Sequence, residues 1–407
     1  MSTAAGGTFR VMRHRNFALF WFGFLVSNAG AWIQSVAQGW LVYDLSDSAV
    51  WLGAIGFVRA FPLILLAPLG GTVADRFPKR KILYITQTVM MSIALVLGVL
   101  TALGWIRVWH VLLLSALSAT AQAFDQPTRQ SLIPRLVSKE ELHAAISLNA
   151  IAFNGAAVFG PSLAGVLVPL VGLAGCFFIN AATFVAVFVA LMLMVFPQQT
   201  RPATRTGLWL DLIEGMKYVA KDPIILALIS MAGVTSFFAR TYQQFIPVYA
   251  RDVMSGGVGL AGLMQSAPSL GTILFMLAVA SLGDIHWKGR LLLGSGFGFC
   301  TALILFAWTR SPVLALGILV VVGGFNMTWQ TTVNTLLQTN VNDEMRGRVM
   351  ASYTVTALAM MPLGQGPMGV AIERLGPSWA LTLAAGISMA WMIYMALFRV
   401  RRIVHLP

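Results

Sequence analysis

The sequence is poor in nearly everything a water-soluble chain of its size needs. Charged residues make up 10% of its 407 positions, against roughly 25% in an average soluble domain, so composition excludes a soluble fold. Cysteine occurs twice, at Cys176 and Cys300, each inside an apolar run and far from the other. That excludes a disulfide framework and a thiolate metal site. His14, His110, His143, His286 and His405 lie near the ends of runs or in tails without metal-ligand spacing, and no Ser-His-Asp set assembles around them. No G-x-x-x-x-G-K-[ST] phosphate loop is present. An enzyme, a metal centre and a nucleotide-driven pump are therefore not expected, nor is any cofactor. A cleavable signal peptide is not expected either. The first apolar stretch, 17–43, exceeds the roughly 7–15 residues of a signal core.

What the chain does have is hydrophobic residues, 58% of the total, in runs near the ~20 residues that cross a bilayer as helix. These fall at 17–43, 50–74, 82–104, 108–125, 145–168, 174–196, 223–247, 259–282, 291–309, 312–336, 349–372 and 377–398. They predict an all-α membrane protein with twelve transmembrane helices. The net charge of +13 sits in the loops between runs, where basic residues set topology, and no nucleic-acid partner is expected. Of the 27 Lys and Arg, Arg107, Arg251, Arg310 and Arg374 fall on one side and Arg59 and Arg240 inside runs; the other 21 share a side with both tails. That asymmetry places the N- and C-termini in the cytoplasm.

The longest polar interruption, "PQQTRPATRTGLWLDLIEGMKYVAKD" at 197–222, divides the chain into six-helix bundles at 1–196 and 223–407. Within it Leu208, Leu210, Leu212, Ile213, Met216 and Val219 set against Asp211, Glu214 and Lys217 fit an amphipathic helix on the membrane surface; a plain tether is the alternative. The halves also repeat one another. Asp75 and Asp284 stand 209 residues apart in corresponding loops, and the Gly-Pro pairs of "FGPSLAG" and "QGPMG" stand 206 apart in the fifth and eleventh runs. Two pseudo-repeat bundles describe a common architecture of secondary transporters.

The stretch "GGTVADRFPKRK", 70–81, carries a more specific signal. Gly71, Ala74, Asp75, Arg76, Lys79 and Arg80 match in type the loop G-x-L-A-D-R-x-G-R-K of the major facilitator superfamily, with Val73 and Pro78 as departures. The segment 127–165 resembles the branch of that superfamily containing macrolide and siderophore exporters, of the drug:proton antiporter type. The resemblance covers essentially the whole chain. An aspartate at the C-terminal end of a helix faces the negative end of the dipole and needs compensation. The resemblance implies partners: the start of the eleventh helix after "NDEMRGR", Lys79, and Asp125 at the end of the fourth. The expectation is a cytoplasmic latch of Asp75, Arg76, Lys79 and Asp125; a topology anchor is the alternative. The copy "ASLGDIHWKGR" keeps Asp284 with fewer positive charges and reads as a degenerate latch. Gly155, Gly160 and Gly165 around Pro161 are expected to kink the fifth helix and admit a close neighbour, a pattern the resemblance links to exporters.

Polar side chains within membrane helices face bundle interiors or aqueous cavities. They concentrate at Asn28, Gln34 and Gln38 in the first run, Gln122 in the fourth, Arg240, Gln243 and Gln244 in the seventh, and Asn326, Gln330 and Asn334 in the tenth. The last three are spaced by four, on one helical face. The resemblance implies that these four helices line the substrate cavity; helix-to-helix glue is the alternative. Arg59 and Arg240 lie in apolar surroundings, and all carboxylates read as falling in loops or near helix ends. A buried guanidinium without a carboxylate takes carbonyls, water or a bound anion, so Arg240 is a candidate for an anionic substrate group, with Arg59 nearer the outer surface. Trp32, Trp40, Phe237, Phe238, Tyr242, Met327 and Trp329 are candidate wall residues for partly apolar molecules.

The reading that results is a monomeric multi-pass exporter of the bacterial inner membrane. It carries drug- or siderophore-like amphipathic small molecules by alternating access, with membrane lipid and protons as further partners. The resembled transporters commonly carry a carboxylate in helix 1, whereas "SNAGAWIQ" has Ala31 and no acid before Asp44. Gradient-independent uniport and lysolipid flipping are the alternatives.

Overall fold

The computed structural model describes residues 10–195, 208–281 and 287–399; Asp284, with its loop, and the first part of the linker lie outside them. The elements are α1 (Arg15–Ser46), α2 (Ala49–Arg76), α3 (Lys79–Ala102), α4 (Val108–Leu132), α5 (Leu142–Leu193), α6 (Leu208–Lys221), α7 (Pro223–Phe238), α8 (Val258–Ser281), α9 (Lys288–Trp308), α10 (Pro312–Asn340), α11 (Asp343–Leu375) and α12 (Pro377–Tyr394). Among the described residues there is no strand. Among the described residues, ten helical stretches are long and apolar enough to cross a membrane. Helix suits these runs because hydrocarbon offers no hydrogen bonds, so each N–H and C=O must be satisfied within its own segment.

Helix starts follow local chemistry. Asp222 Oδ1 accepts from the Ile224 and Ile225 amides at 2.9 and 3.1 Å, and Pro223 occupies the first turn of α7, where no N–H is needed. Pro312 and Pro377 do the same for α10 and α12.

Three boundaries differ from the sequence expectation, each for a physical reason. Helix α4 does not end at 125 but runs through Pro127 to Leu132, which makes Asp125 an interior residue. The fifth and sixth runs form one assigned helix, α5, broken at Gly172 by φ 73° and ψ 175°, a conformation open to a residue without Cβ. The seventh run is not one helix to 247. It leaves α-geometry after Phe238, tightens into a 3-10 stretch at Arg240–Phe245 and continues through single turns at Ile246–Val248 and Tyr249–Val253. Pro247 has no N–H for the Gln243 carbonyl and its ring crowds that oxygen.

Contacts divide the chain into two units: Met1–Leu45 with Val58–Arg205, and Ser46–Phe57 with Thr206–Pro407. The first turns of α2 thus belong to the second unit. There Glu373 Oε2, near the end of α11, accepts from Ser48 Oγ at 3.0 Å and from the Ala49 amide at 3.1 Å, and Arg251 pairs with Asp47. In the first unit Phe17, Phe20, Leu83, Leu132, Leu148, Val187 and Leu191 form a buried core. Outward-facing residues are apolar too: Phe159, Leu170 and Val313 are 67%, 73% and 77% exposed, as a lipid-facing surface requires. Each unit also holds one fully buried cysteine, Cys176 in the first and Cys300 in the second.

The linker helix α6 packs on α11. Glu214 Oε2 lies 2.8 Å from Arg348 Nη1, and a Cβ at Gly215 would lie 2.6 Å from the Arg348 carbonyl oxygen.

Candidate functional site

In the first unit several polar groups inside the helices pair with one another, while Gln87 Oε1 is buried without a partner. Gln38 Nε2 donates to Ser115 Oγ of α4 at 2.6 Å. Asn180 Nδ2, on the second arm of α5, donates to Gln34 Oε1 at 2.6 Å. Gln122 Oε1 accepts from Arg59 Nη2 at 3.3 Å, while its Nε2 donates to Ser118 Oγ at 3.3 Å. Gln34 and Gln38 therefore join α1 to its neighbours. Their partners Asn180 and Ser115, and Ser118 beside Gln122, went unread because small polar residues scattered in apolar runs carry no spacing signal. Asn28 is half-buried on α1.

The sequence expectation that no carboxylate lies deep in a helix is corrected by Asp125, which is 1% exposed. Its Oδ1 accepts from Thr86 Oγ1 and Gln87 Nε2 of α3, both at 2.8 Å. Its Oδ2 lies 2.7 Å from Arg129 Nε, an ion pair one turn along α4 although the N–H is not aimed along that line. The Arg129 guanidinium also stands over the Phe24 ring at 4.8 Å, a cation–π contact. Lys79 takes a different set. Its Nζ donates to the Ala74 carbonyl at 2.9 Å and to Ser131 Oγ at 2.7 Å, within the electrostatic reach of Asp75 and Arg135. Asp75 and Arg76 close the last turn of α2. Of the four latch candidates, Asp125 thus pairs with Arg129, apart from Lys79, Asp75 and Arg76 at the junction of α2 and α3.

Of the glycine set, Gly160 admits α1: a Cβ there would lie 2.5 Å from Trp32 Cβ. Pro161 and Gly165 are buried beside it, whereas Gly155 has open space around its Cα.

The second unit is built differently. Arg240 sits where α7 gives way to 3-10 geometry, and its Nε is buried without a hydrogen-bond partner. Electrostatically it faces Tyr353 of α11 and Tyr242 of its own stretch. Tyr353, 5% exposed, is a buried residue of α11. Asn326 Oδ1, one turn before Gln330, is also buried without a partner, as are Thr235 Oγ1 and Gln265 Oε1. At the break α11 comes against α7 backbone to backbone: a Cβ on Gly364 would overlap the Phe237 carbonyl oxygen. Gln243 and Gln244 are both half-buried, and Asn334 accepts from Gln338 toward the end of α10. Arg240 and Asn326 thus each keep a buried polar atom without a partner, whereas Asn334 is engaged by Gln338. Tyr353 was missed because its helix showed no polar stripe.

Two candidate wall residues face the bundle interior instead. Trp329 is 2% exposed, so close to α9 that a Cβ on Gly296 would lie 3.0 Å from its Nε1. Tyr242, also 2% exposed, packs edge-on to Phe306 with ring centroids 6.4 Å apart. Among the described residues no cluster of His, Cys, Asp or Glu is arranged to hold a metal ion.

Broken membrane helices with buried polar groups beside the break recur in secondary transporters. The chain belongs to the transmembrane secretion effector family of the major facilitator superfamily, which matches residues 6–405. It is 26% identical over 353 residues to the staphyloferrin A transporter of Staphylococcus aureus, covering 85% of this chain and 87% of that protein. It is 22% identical over 378 residues to the multidrug efflux pump Tap of Mycolicibacterium fortuitum, covering 90% and 92%. The fold is similar to that of a crystallised nucleoside transporter, with a TM-score of 0.75 at 15% identity over 93% of this chain and 98% of that one. Family and relatives are transporters rather than enzymes.

Proposed function

We propose that the protein exports amphipathic, preferentially anionic small molecules across the bacterial inner membrane by alternating access. The observation that carries this is Arg240, a guanidinium with a buried, unpartnered Nε at a helix break. A charge left in such a place needs an anion or water to complete it. The staphyloferrin A and multidrug transporters among the relatives support a substrate of drug or siderophore type. Twelve spans are part of the same reading: α5 counts twice because Gly172 interrupts it, and α4, more polar than the rest, is the twelfth. Both termini are cytoplasmic on the basic-residue asymmetry. The protein acts as a monomer, with proton exchange as the driving reaction.

The substrate groups proposed are Asn28, Gln34, Gln38 and Gln122 in the first unit and Arg240, Gln243, Gln244, Asn326, Gln330 and Asn334 in the second; Asp75, Arg76, Lys79 and Asp125 are the proposed latch. Uptake into inside-out vesicles of an anionic, a neutral and a cationic amphiphile, with and without an imposed proton gradient, tests the reading. Gradient-driven uptake favouring the anion is expected, and Arg240→Gln lowers it about tenfold while neutral uptake changes less than about twofold, the scale of one lost charge-assisted bond. Cation preference overturns the role of Arg240; equilibration that ignores the gradient means uniport.

A further inference from the structure

Arg59 lies inside the membrane-crossing stretch Ala49–Leu66, and its hydrogen bonding uses little of it. Its Nη2 donates to Gln122 Oε1 at 3.3 Å, and Gln122 Nε2 donates in turn to Ser118 Oγ at 3.3 Å. The amide is thereby fixed, its acceptor turned to the arginine and its donor to the serine. A guanidinium carries five N–H donors and no acceptor. None of the Arg59 nitrogens is buried without a partner, as Nε of Arg240 is, and Arg59, Gln122 and Ser118 are all partly exposed. The donors that Gln122 leaves unused are therefore open, and the acceptor of the neighbouring amide is already taken.

The arginine does not turn to the near end of its helix. Helices α2 and α4 run the same way, since α3 returns between them through short connections, and they touch where a Cβ on Gly70 would overlap the Ala123 carbonyl oxygen. Gln122 lies one residue before that contact on α4, whereas Arg59 lies eleven before it on α2, a rise of about 16 Å. To reach Gln122 the side chain runs toward the middle of α2, the reverse of snorkelling. Nor does it face lipid. Phe61, Leu65 and Leu69 form an exposed apolar stripe on α2, and Trp109, Leu113 and Leu117 form one on α4. By helical rotation Arg59 stands about 200° from Phe61 and Gln122 about 140° from Leu117, so both point away from the stripes.

A charge inside the membrane is completed by a counter-charge or by water. The carboxylates of α2 and α4 are placed elsewhere. Asp75 lies sixteen residues on, about 24 Å along α2, and Asp125 is held by Thr86, Gln87 and Arg129. Resting on the proposed transport of anionic amphiphiles for the class of ligand, we propose that Arg59 is an anion-binding site of the first unit, separate from Arg240. It takes the oxyanion head of an amphiphile, a carboxylate, sulfonate or phosphate, on the N–H groups that Gln122 leaves open. Gln122 is a positioning residue, which aims the guanidinium and lends it no charge. Because the free groups are donors, the site favours an oxyanion over an alcohol of the same length. The phosphate of an anionic lipid meets the same donors as the head of a free amphiphile.

The test is modification of arginine by phenylglyoxal in the purified full-length protein, held in phosphatidylcholine nanodiscs, with rates read peptide by peptide by mass spectrometry. Arg59 is expected to react, and dodecanoate at about ten times its Kd is expected to slow that reaction about tenfold, as occupancy of one site requires. Dodecan-1-ol, which brings the same chain without the charge, should leave the rate unchanged. Discs containing phosphatidylglycerol distinguish the sources. Slow modification before dodecanoate is added assigns the site to a lipid head, slowing only on its addition assigns it to a free amphiphile, and either supports the inference. In Gln122→Leu, half-protection should need about fivefold more dodecanoate, the worth of one hydrogen bond; an unchanged requirement overturns the positioning role. An Arg59 that never reacts in phosphatidylcholine, or that neither dodecanoate nor phosphatidylglycerol protects better than dodecan-1-ol does, overturns the inference, and the wild type alone decides this. Protection at Arg240 without protection at Arg59 also overturns it while leaving the transport reading standing; protection at Arg59 alone removes the role of Arg240 instead.

Discussion

The two units differ in how far the buried polar groups of their helices are paired within the protein, Gln87 Oε1 being an unpaired atom of the first. In the first, Asp125 receives Thr86, Gln87 and Arg129, Gln34 receives Asn180, and Gln122 receives Arg59. In the second, Thr235, Arg240, Gln265 and Asn326 each keep a buried atom without a protein partner. Polar groups that have partners tie helices together, and groups that lack them hold capacity for something that arrives. The repeat that relates the halves in sequence therefore conceals a division of labour, in which one unit is fastened and the other is left receptive.

The strongest way to break this contrast is to unfasten the first unit. Asp125→Leu strands Arg129 in the interior, and removing one partner of a buried pair costs about 3–5 kcal/mol. Thermal unfolding followed by circular dichroism should show the largest loss of any variant here. A smaller loss follows at the α1–α5 contact. Asn180→Leu leaves Gln34 Oε1 bare and is expected to destabilise by roughly 0.6–1.7 kcal/mol, the range of hydrogen bonds between membrane helices. The double change with Gln34→Leu should recover most of it, since removing both partners leaves nothing unsatisfied.

The same operation in the second unit should carry the opposite sign. Thr235→Val deletes a hydroxyl that is 1% exposed and whose Oγ1 has no partner, so the protein should gain up to about 1 kcal/mol. A loss of stability would mean that the hydroxyl is completed by water, and the contrast between the units would shrink accordingly. The smallest effect lies at the surface of the first unit. Hydrogen bonds from His14 and Ser138 hold Glu141 below the ordinary glutamate value of 4.5. A depressed carboxylate stabilises fully above its unfolded value and loses that contribution as the pH falls through the folded one. Stability should therefore fall more steeply below pH 4.5 in the wild type than in Glu141→Gln, read from melting temperatures across that range.

The helices were legible because length and hydropathy alone require them, and the positions of Arg59 and Arg240 were legible because charge in an apolar run is conspicuous. Helix ends were less so. Asp125 read as a terminal residue because the polar run "DQPTRQ" resembles a loop, yet its side chains are those that pair inside the unit, and Pro127 is accommodated within α4. Asn180 was not legible because its partner Gln34 lies in another helix, 146 residues away. Trp329 read as a wall residue because it neighbours Gln330 in the sequence, but its ring is buried, 2% exposed, against Gly296 of α9.

One small feature gives the molecule an internal pair of clocks. Cys176 and Cys300 are both fully buried, one to a unit, so a maleimide in solution reaches each thiol only when the helices around it part. Cys176→Ser and Cys300→Ser leave one native label apiece, and the two labelling rates compare how often the fastened and the receptive half open, without any residue being added to either.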